Sequence, residues 1–259
     1  MSGSIHATAI VAPDAVLGEG VEIGPYSIVG PGVVIGARTR IGAHAAVHCH
    51  TRLGEDNIVH PFASVGDAPQ DKKYQGEPTR LEVGDRNVIR EFVTLNRGTT
   101  KDRGVTTIGS DNLFMSYSHV AHDCVVGNQC VLANSATLGG HVVLGDWVIM
   151  GGFAAIHQFC KVGAHAFLAN NAAVTRDVPP YVMAVGGPAK PHSINSEGLK
   201  RRGFSPQQIR NLRNAYRVLY RSGLRLEQAL EQLTAVAKEQ PEVQLLVDFI
   251  PQSTRSLVR

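Results

Sequence analysis

Aromatic residues make up only 6% of the 259-residue sequence, and there is a single tryptophan. That composition argues against a core built on large rings. Long apolar runs are also missing. No stretch approaches the roughly 18 apolar residues that mark a membrane-spanning helix. The four cysteines, Cys49, Cys124, Cys130 and Cys160, contain no CxxC pair. That removes zinc knuckles and thioredoxin-like redox motifs. The thiols read instead as small buried hydrophobes in a reducing compartment. The opening "MSGSIHATAI" has no basic start followed by an apolar run, so no signal peptide is expected there. The expectation is a soluble cytoplasmic protein. What is abundant is glycine, with 27 residues, in a chain that is 43% hydrophobic and 18% charged. Such a chain can build a core, and its glycines suit a regular backbone with tight corners.

The sequence repeats in sixes. Ile5, Val11, Leu17, Ile23, Val29, Ile35, Ile41, Val47, Leu53, Val59 and Val65 are all aliphatic, and most are followed by glycine. The register resumes at Val83, Ile89 and Leu95. Slipped by one residue, it runs again from Ile108 through Phe114, Val120 and Val126 to Val174. A period of six matches neither an amphipathic helix nor a hairpin. It fits a short strand plus a corner, with one inward aliphatic per hexad and coils stacked as parallel strands. No coil can bury its apolar face alone, so neighbours must stack. Two polar segments, 66–82 and 97–107, interrupt the hexads. They read as loops leaving the stack, where a rigid scaffold often carries function.

After "VPPYVMAVGGPAKP" the hexads stop. Ser205 and Pro206 have the character of a helix cap and first helical residue. Ile209, Leu212, Tyr216, Leu219 and Tyr220 follow helical spacing, and Gly223 would end that helix. Two further helices are expected in "RLEQALEQLTAVAKEQ" and "PEVQLLVDFI". Residues 1–189 are thus assigned to the coil and 190–259 to a C-terminal α-helical domain. That domain carries twelve Lys/Arg and six Asp/Glu, a net of +6 in a chain of net +3. Its basicity would attract an acidic partner. No aromatic stacking platform or reading motif supports a nucleic acid.

Chemistry gathers in "SYSHVAHDC". His119 and His122 flank the inward Val120, and Asp123 follows. A coil of three hexads sets residues 18 apart above one another, so His141 stacks over Asp123 and His157 falls beside Gly140. Three readings stay open. His122 could be a general base, since imidazole is largely neutral near pH 7 and a carboxylate can orient it. Several histidines could hold zinc with one open position. Or they could be corner residues bonded to backbone, the reading given to His44, His48, His50 and His60. Adjacent residues on an ideal strand point to opposite faces, so His122 and Asp123 can cooperate only at a corner.

The hexads resemble the hexapeptide-repeat family, which implies a mainly β fold: a left-handed parallel β-helix, usually trimeric, with active sites between prisms. "HVAHDC", "AIHQFC", "DVPPYV", "PQDKKYQGEPTR", "NSEGLKRRGFS" and "STRSLVR" together resemble the UDP-N-acetylglucosamine O-acyltransferase family. That resemblance implies transfer of an (R)-3-hydroxyacyl chain from acyl carrier protein to the 3-hydroxyl of UDP-N-acetylglucosamine, the first step of lipid A biosynthesis, with no cofactor or metal. It implies His122 as general base, Asp123 as its support and the Gly140 N–H as oxyanion donor. His119, His141 and His157 would line the sugar and acyl groove. Gln70, Asp71 and Lys73 would reach in from the adjoining subunit. Gln158, Asn195, Glu197, Arg201 and Arg202 would hold the nucleotide end, where paired guanidiniums suit a diphosphate. Asn170 stands where members taking longer chains have glycine. It implies a preference for about 10 to 12 carbons over 14, each methylene being worth about 0.8 kcal/mol. Asn96 replaces a histidine found in some relatives, which leaves its role open. Alternatives are a γ-carbonic-anhydrase-like metal hydratase, the N-acyltransferase acting later in the same pathway, and a non-catalytic β-helical scaffold.

Overall fold

A computed structural model describes residues 3–259. Short strands, mostly of two residues, alternate with corners, and three strands complete a coil. Ser4 pairs with Glu22, Ile10 with Ile28 and Val16 with Val34, all in parallel. Three sheets of eleven, nine and eight strands result, forming the first, second and third faces of a triangular prism. The hexad aliphatics point inward. Val29, Val47, Leu95, Val120, Leu138 and Leu168 are each at most 1% exposed. Ile5 is 54% exposed because its coil ends the stack and has no neighbour beneath.

From Gly20 to Asn171 each regular corner contains one residue in the left-handed conformation, including Tyr26, Arg38, Asp123, His141 and Phe159, whereas the Ala7–Thr8 and Pro13–Asp14 corners have none. That conformation is unfavourable for a residue with a Cβ, and it is sustained here by the ladder hydrogen bonds on both sides. The preceding corner residue needs no N–H partner, so Pro13, Pro25, Pro31 and Pro61 occupy that place at no cost to the ladder. Glycine after an inward aliphatic is required by the next coil. A Cβ on Gly139 would lie 2.8 Å from the Gln158 nitrogen. Three buried asparagines pair with one another through successive coils. Asn57, Asn87 and Asn112, at most 1% exposed, form a ladder in which Asn112 and Asn87 each donate to the preceding asparagine's Oδ1. Cys124, Cys130 and Cys160 are buried and free, while Cys49 is half-buried. Burial pushes the Cys124 and Cys130 thiols up to about 12, so neither offers a thiolate near neutral pH.

Both insertions leave the same edge, between the second and third faces. The first runs over 68–79, after strand Ser64–Asp67, and the second over 97–104, after Thr94–Asn96. The loops are tied to each other. Arg97, 9% exposed, donates to the Gly66 carbonyl and the Tyr74 hydroxyl, and Lys101 pairs with Asp71 at 2.9 Å. Asn96 donates to the Ala68 carbonyl, which anchors the root of the first loop.

The prism ends in an antiparallel pair, Val182–Val185 with Lys190–Ile194. Residue 190 therefore begins a strand of the first face, and the helices start at Ser196. These are α1 (Ser196–Arg201), α2 (Pro206–Arg221), α3 (Leu226–Ala237) and α4 (Gln244–Phe249). The capping box expected around Ser205 forms with Gln208. The short α1 was not foreseen. Gly198 weakens its helical signal, and Asn195 starts it by accepting from the Gly198 N–H. Among the described residues no helix is long and apolar enough to cross a membrane.

Candidate active site

His122 and Asp123 occupy the corner between strands His119–Val120 and Val125–Val126. Asp123 takes the left-handed conformation, φ 59°. This rotates its side chain onto the same side as its neighbour, and His122 Nδ1 meets Asp123 Oδ2 at 2.9 Å. The adjacency that an ideal strand forbids is thus made by the turn. Asp123 is 2% exposed, and its carboxylate also accepts the Thr99 N–H and hydroxyl. Burial alone would raise its pKa, but the bonds from His122 and Thr99 outweigh burial and hold it low. The carboxylate is ionised at neutral pH, and the ring nitrogen facing it carries the proton. His122 Nε2 is left as a proton acceptor, facing outward.

Gly140 lies one coil on. Its Cα approaches the ring so closely that a Cβ would sit 2.6 Å from His122 Cε1 and 2.8 Å from Nε2. As a first corner residue, Gly140 spends no N–H on the ladder. His141, stacked above Asp123, presents its ring to His122 edge-on, with centroids 5.0 Å apart. Its Nδ1 meets Asp102 at 2.8 Å. His157 and Gln158 lie exposed on the same edge in the coil above. His119 is outward on the second face with Thr94 Oγ1 at 2.7 Å. Burial, then the nearby His122, lowers its pKa, so its ring is neutral.

The expected residues divide between edges. His119, His122, Asp123, Gly140, His141, His157 and Gln158 come together; Gln158 had been grouped with the nucleotide end but lies on this edge. Asp71 joins them within one chain. The Lys73 backbone N–H and Lys101 hold its carboxylate low, and His122 is near enough to add to the effect. Its loop is packed on its own prism, through Lys101, not extended away. Gln70 and Lys73 are exposed on that loop. Asn195, Glu197, Arg201 and Arg202 lie elsewhere, in a cleft of about 430 Å³ against the first face that Trp147, Ile149 and Phe167 also line. There Asn195 has both amide atoms engaged, with the Gly198 N–H and the His165 carbonyl. Arg202 lies 5.1 Å over the Trp147 ring and meets His165 Nδ1 at 3.2 Å. Asn170 sits on the edge between the first and second faces, accepting the Gly152 N–H. His44 stacks between Tyr26 and Phe62, His48 meets Ser64, and His60 meets Glu91. Those histidines contact side chains, not the backbone partners expected.

Thr99, Asp102 and Phe159 were missed. Phe159 stands 18 after His141, and the rings stack at 4.3 Å, so its place could have been counted. The loop residues could not be, because insertions break the period.

Burial, and then the Arg202 cation, lower the His165 pKa to about 4. Between there and an ordinary value near 6.5, the unfolded chain binds a proton that the fold refuses. Stability is therefore expected to fall as pH drops through this window, by about 2 kcal/mol from pH 7 to pH 5. Urea unfolding at both pH values checks it. His165→Gln should lose clearly less over the same interval, and an equal loss would refute the assignment.

His122, Asp123 and His141 offer donor atoms within 4.8 Å of one another. The zinc reading nevertheless fits poorly. Nδ1 of His122 and Oδ2 of Asp123 satisfy each other, and Oδ2 also takes the Thr99 hydroxyl at 2.7 Å.

A coiled prism of stacked hexads is the architecture of the bacterial hexapeptide transferases. Their six-repeat profile matches residues 4–37, 14–49 and 106–140, and the fold is the left-handed parallel β-helix with a short helical C-terminal part. A profile described as UDP N-acetylglucosamine O-acyltransferase, domain 2, matches residues 177–258. The chain is 55% identical over 256 residues to the acyl-(acyl-carrier-protein)–UDP-N-acetylglucosamine O-acyltransferase of Thiobacillus denitrificans, covering 99% of each. It belongs to the UDP-N-acetylglucosamine O-acyltransferase family. A solved structure of LpxA from Acinetobacter baumannii is 47% identical and superimposes with a TM-score of 0.96, covering 98% of this chain and 99% of that one. The Francisella novicida UDP-N-acetylglucosamine acyltransferase structure gives 0.97 at 40% identity, covering 99% and 94%.

Proposed function

We propose that this enzyme transfers an (R)-3-hydroxyacyl chain from acyl carrier protein to the 3-hydroxyl of UDP-N-acetylglucosamine, with His122 as general base. The observation that carries this is the His122–Asp123 pair, with Gly140 packed against the ring and its N–H free of the ladder. His122 Nε2 takes the proton of the sugar hydroxyl as its oxygen attacks the thioester carbonyl. The Asp123 carboxylate stabilises the imidazolium that forms. The Gly140 N–H stabilises the negative oxygen of the tetrahedral intermediate. Collapse expels the carrier thiolate, which the imidazolium protonates. Every proton is accounted for by residues of this chain, and no cofactor is required.

Nucleotide-end residues on a different edge from His122 support an assembly in which adjoining prisms complete each site. We therefore propose a homotrimer, acting in the cytoplasm, with Arg201 and Arg202 meeting the diphosphate. Arg201 is exposed and without a partner among the described residues, so it remains free for a phosphate. Transfer from hydroxyacyl carrier protein to UDP-N-acetylglucosamine, followed by product mass, tests the reading; absence of product with every donor would reject it. A donor panel also tests acyl length. The native chain is expected to prefer hydroxydecanoyl or hydroxydodecanoyl donors. Asn170→Gly should shift preference toward hydroxytetradecanoyl by about tenfold, two methylenes at about 0.8 kcal/mol each. An unchanged ratio would free Asn170 of this role.

A further inference from the structure

The catalytic edge continues above His157 and Gln158. Thr175, Arg176 and Asp177 form its next corner, and the pairing of Ile156 with Val174 sets Arg176 in register with Gln158. Arg176 thus stands three coils beyond His122. At this corner the C-terminal tail joins the prism. Elsewhere on the edge the corner N–H bonds the coil below, His141 to the His122 carbonyl and Phe159 to that of Gly140. The Asp177 N–H donates instead to the Ser256 carbonyl. Asp177 is fully buried, and its Oδ2 accepts the Ser253 hydroxyl and the Thr254 and Arg255 N–H groups. The tail is thereby fixed across the edge, with Arg255 Cζ 5.6 Å over the Phe159 ring. That ring stacks on His141, whose own ring meets His122 edge-on.

Arg176 and Arg255 are both exposed, and among the described residues neither guanidinium has a hydrogen bond or a salt bridge. The adjacent carboxylate does not neutralise them by contact. Both Asp177 oxygens are taken by backbone N–H groups and a hydroxyl, the Lys161 N–H bonding Oδ1. Lys161 adds a further cation, its Nζ on the neutral Gln252 carbonyl at 2.7 Å. Cations gathered in this way repel one another and gain by meeting an anion.

We propose that Arg176 and Arg255 form an anion subsite for the phosphate of the prosthetic arm that presents the acyl group. This rests on the acyl-transfer reading and adds to it a contact with the donor's arm. A carrier protein holds its acyl chain on 4′-phosphopantetheine, with the thioester at one end and the phosphate at the other, about 16 Å apart when extended. Coils stack at roughly 4.8 Å, so three of them put Arg176 about 14 Å from His122. With the thioester carbonyl at His122, an arm laid along the edge brings its phosphate to the two guanidiniums, which bind phosphate oxygens as a fork. Holding the phosphate fixes the far end of the arm, and the chemistry stays at His122.

The test uses two protein-free donors with the same hydroxyacyl thioester, one on 4′-phosphopantetheine and one on pantetheine, which differ only in the phosphate. The native chain is expected to favour the phosphorylated donor in kcat/KM by about tenfold, as a charge-assisted contact supplies. The preference should shrink as salt is raised. The full-length Arg176→Gln/Arg255→Gln variant should bring the ratio to within about twofold of one. Arg176→Gln alone, at a side chain with no hydrogen bond or salt bridge among the described residues, should move it part of the way. Both donors are turned over by the same preparation, so any loss of folded enzyme cancels from the ratio. A native ratio near one, or a ratio that the double variant leaves as it was, would overturn the proposal. So would a raised KM for UDP-N-acetylglucosamine with an unchanged donor ratio, which would assign the arginines to the nucleotide diphosphate. If the native chain transferred from neither these donors nor intact acyl carrier protein, the acyl-transfer reading would fall. Calorimetric titration of 4′-phosphopantetheine would then decide the subsite by itself: binding about tenfold tighter to the native chain than to the double variant supports it, and equal affinity rejects it.

Discussion

His122→Ala is expected to lower kcat for acyl transfer by about a thousandfold, within the range general-base groups supply. KM for UDP-N-acetylglucosamine should change far less, because the ring acts on a proton and the nucleotide is held elsewhere. The geometry explains the size of the effect. Nδ1 of His122 is committed to Asp123 at 2.9 Å, so only Nε2 can accept the proton. Neither neighbouring ring is placed in the same way: His141 has its Nδ1 against Asp102 and turns its Nε2 toward the Asp123 carboxylate, 3.9 Å away, and His119 lies on the second face with its Nδ1 against Thr94. Asp123→Asn should also lose rate, but less than the histidine variant, since base and oxyanion donor both remain. A chelator should leave the native rate unchanged. Single-turnover and steady-state rates for both variants, with and without chelator, check these outcomes. His122→Ala retaining more than about a tenth of the native rate would make the ring a spectator. A chelator-sensitive rate would return the site to the metal reading.

The inward register was legible in the sequence because its cause is local. A side chain at Val120 or Leu138 has the prism interior as its only apolar environment, and period six counts it there. The stacking of His141 over Asp123 follows from the same count. The bond between His122 and Asp123 did not, because it depends on which residue of the corner turns left-handed. The loops were legible as departures from the repeat, but not in their contacts. Nothing in the period places Thr99 on Asp123 or Asp102 on His141, since an inserted segment has its own path. The separation of Arg202 from His122 was also hidden. Chain order gives no account of which edge a C-terminal helix will cover, and α1 packs where Asn195 can cap it and bond the His165 carbonyl. The hand of the coil came from resemblance alone, as parallel crossovers are generally right-handed.

Gly140→Ala is expected to reduce kcat by about a hundredfold or more while the prism stays folded. The two properties separate because of where the added methyl goes. Gly140 does not occupy the left-handed region, so alanine meets no backbone penalty there. The atoms nearest its Cβ all belong to the His122 ring, 2.6 Å to Cε1 and 2.8 Å to Nε2. The ring can yield by rotating about its χ angles, at the cost of its bond to Asp123 and its alignment with the Gly140 N–H. One substitution thereby uncouples the base from the oxyanion donor. Gly139→Ala is the control. Its Cβ would press on the backbone of the next coil, with Gln158 N at 2.8 Å, and backbone cannot rotate away. That variant should lose stability by about 1–3 kcal/mol, the usual range for overpacking, and lose activity only in proportion to the folded fraction. Thermal melts and kcat measured on both variants distinguish the two sites. A Gly140→Ala enzyme with native kcat would show that His122 moves without loss, and the oxyanion role would then pass to another donor on this edge.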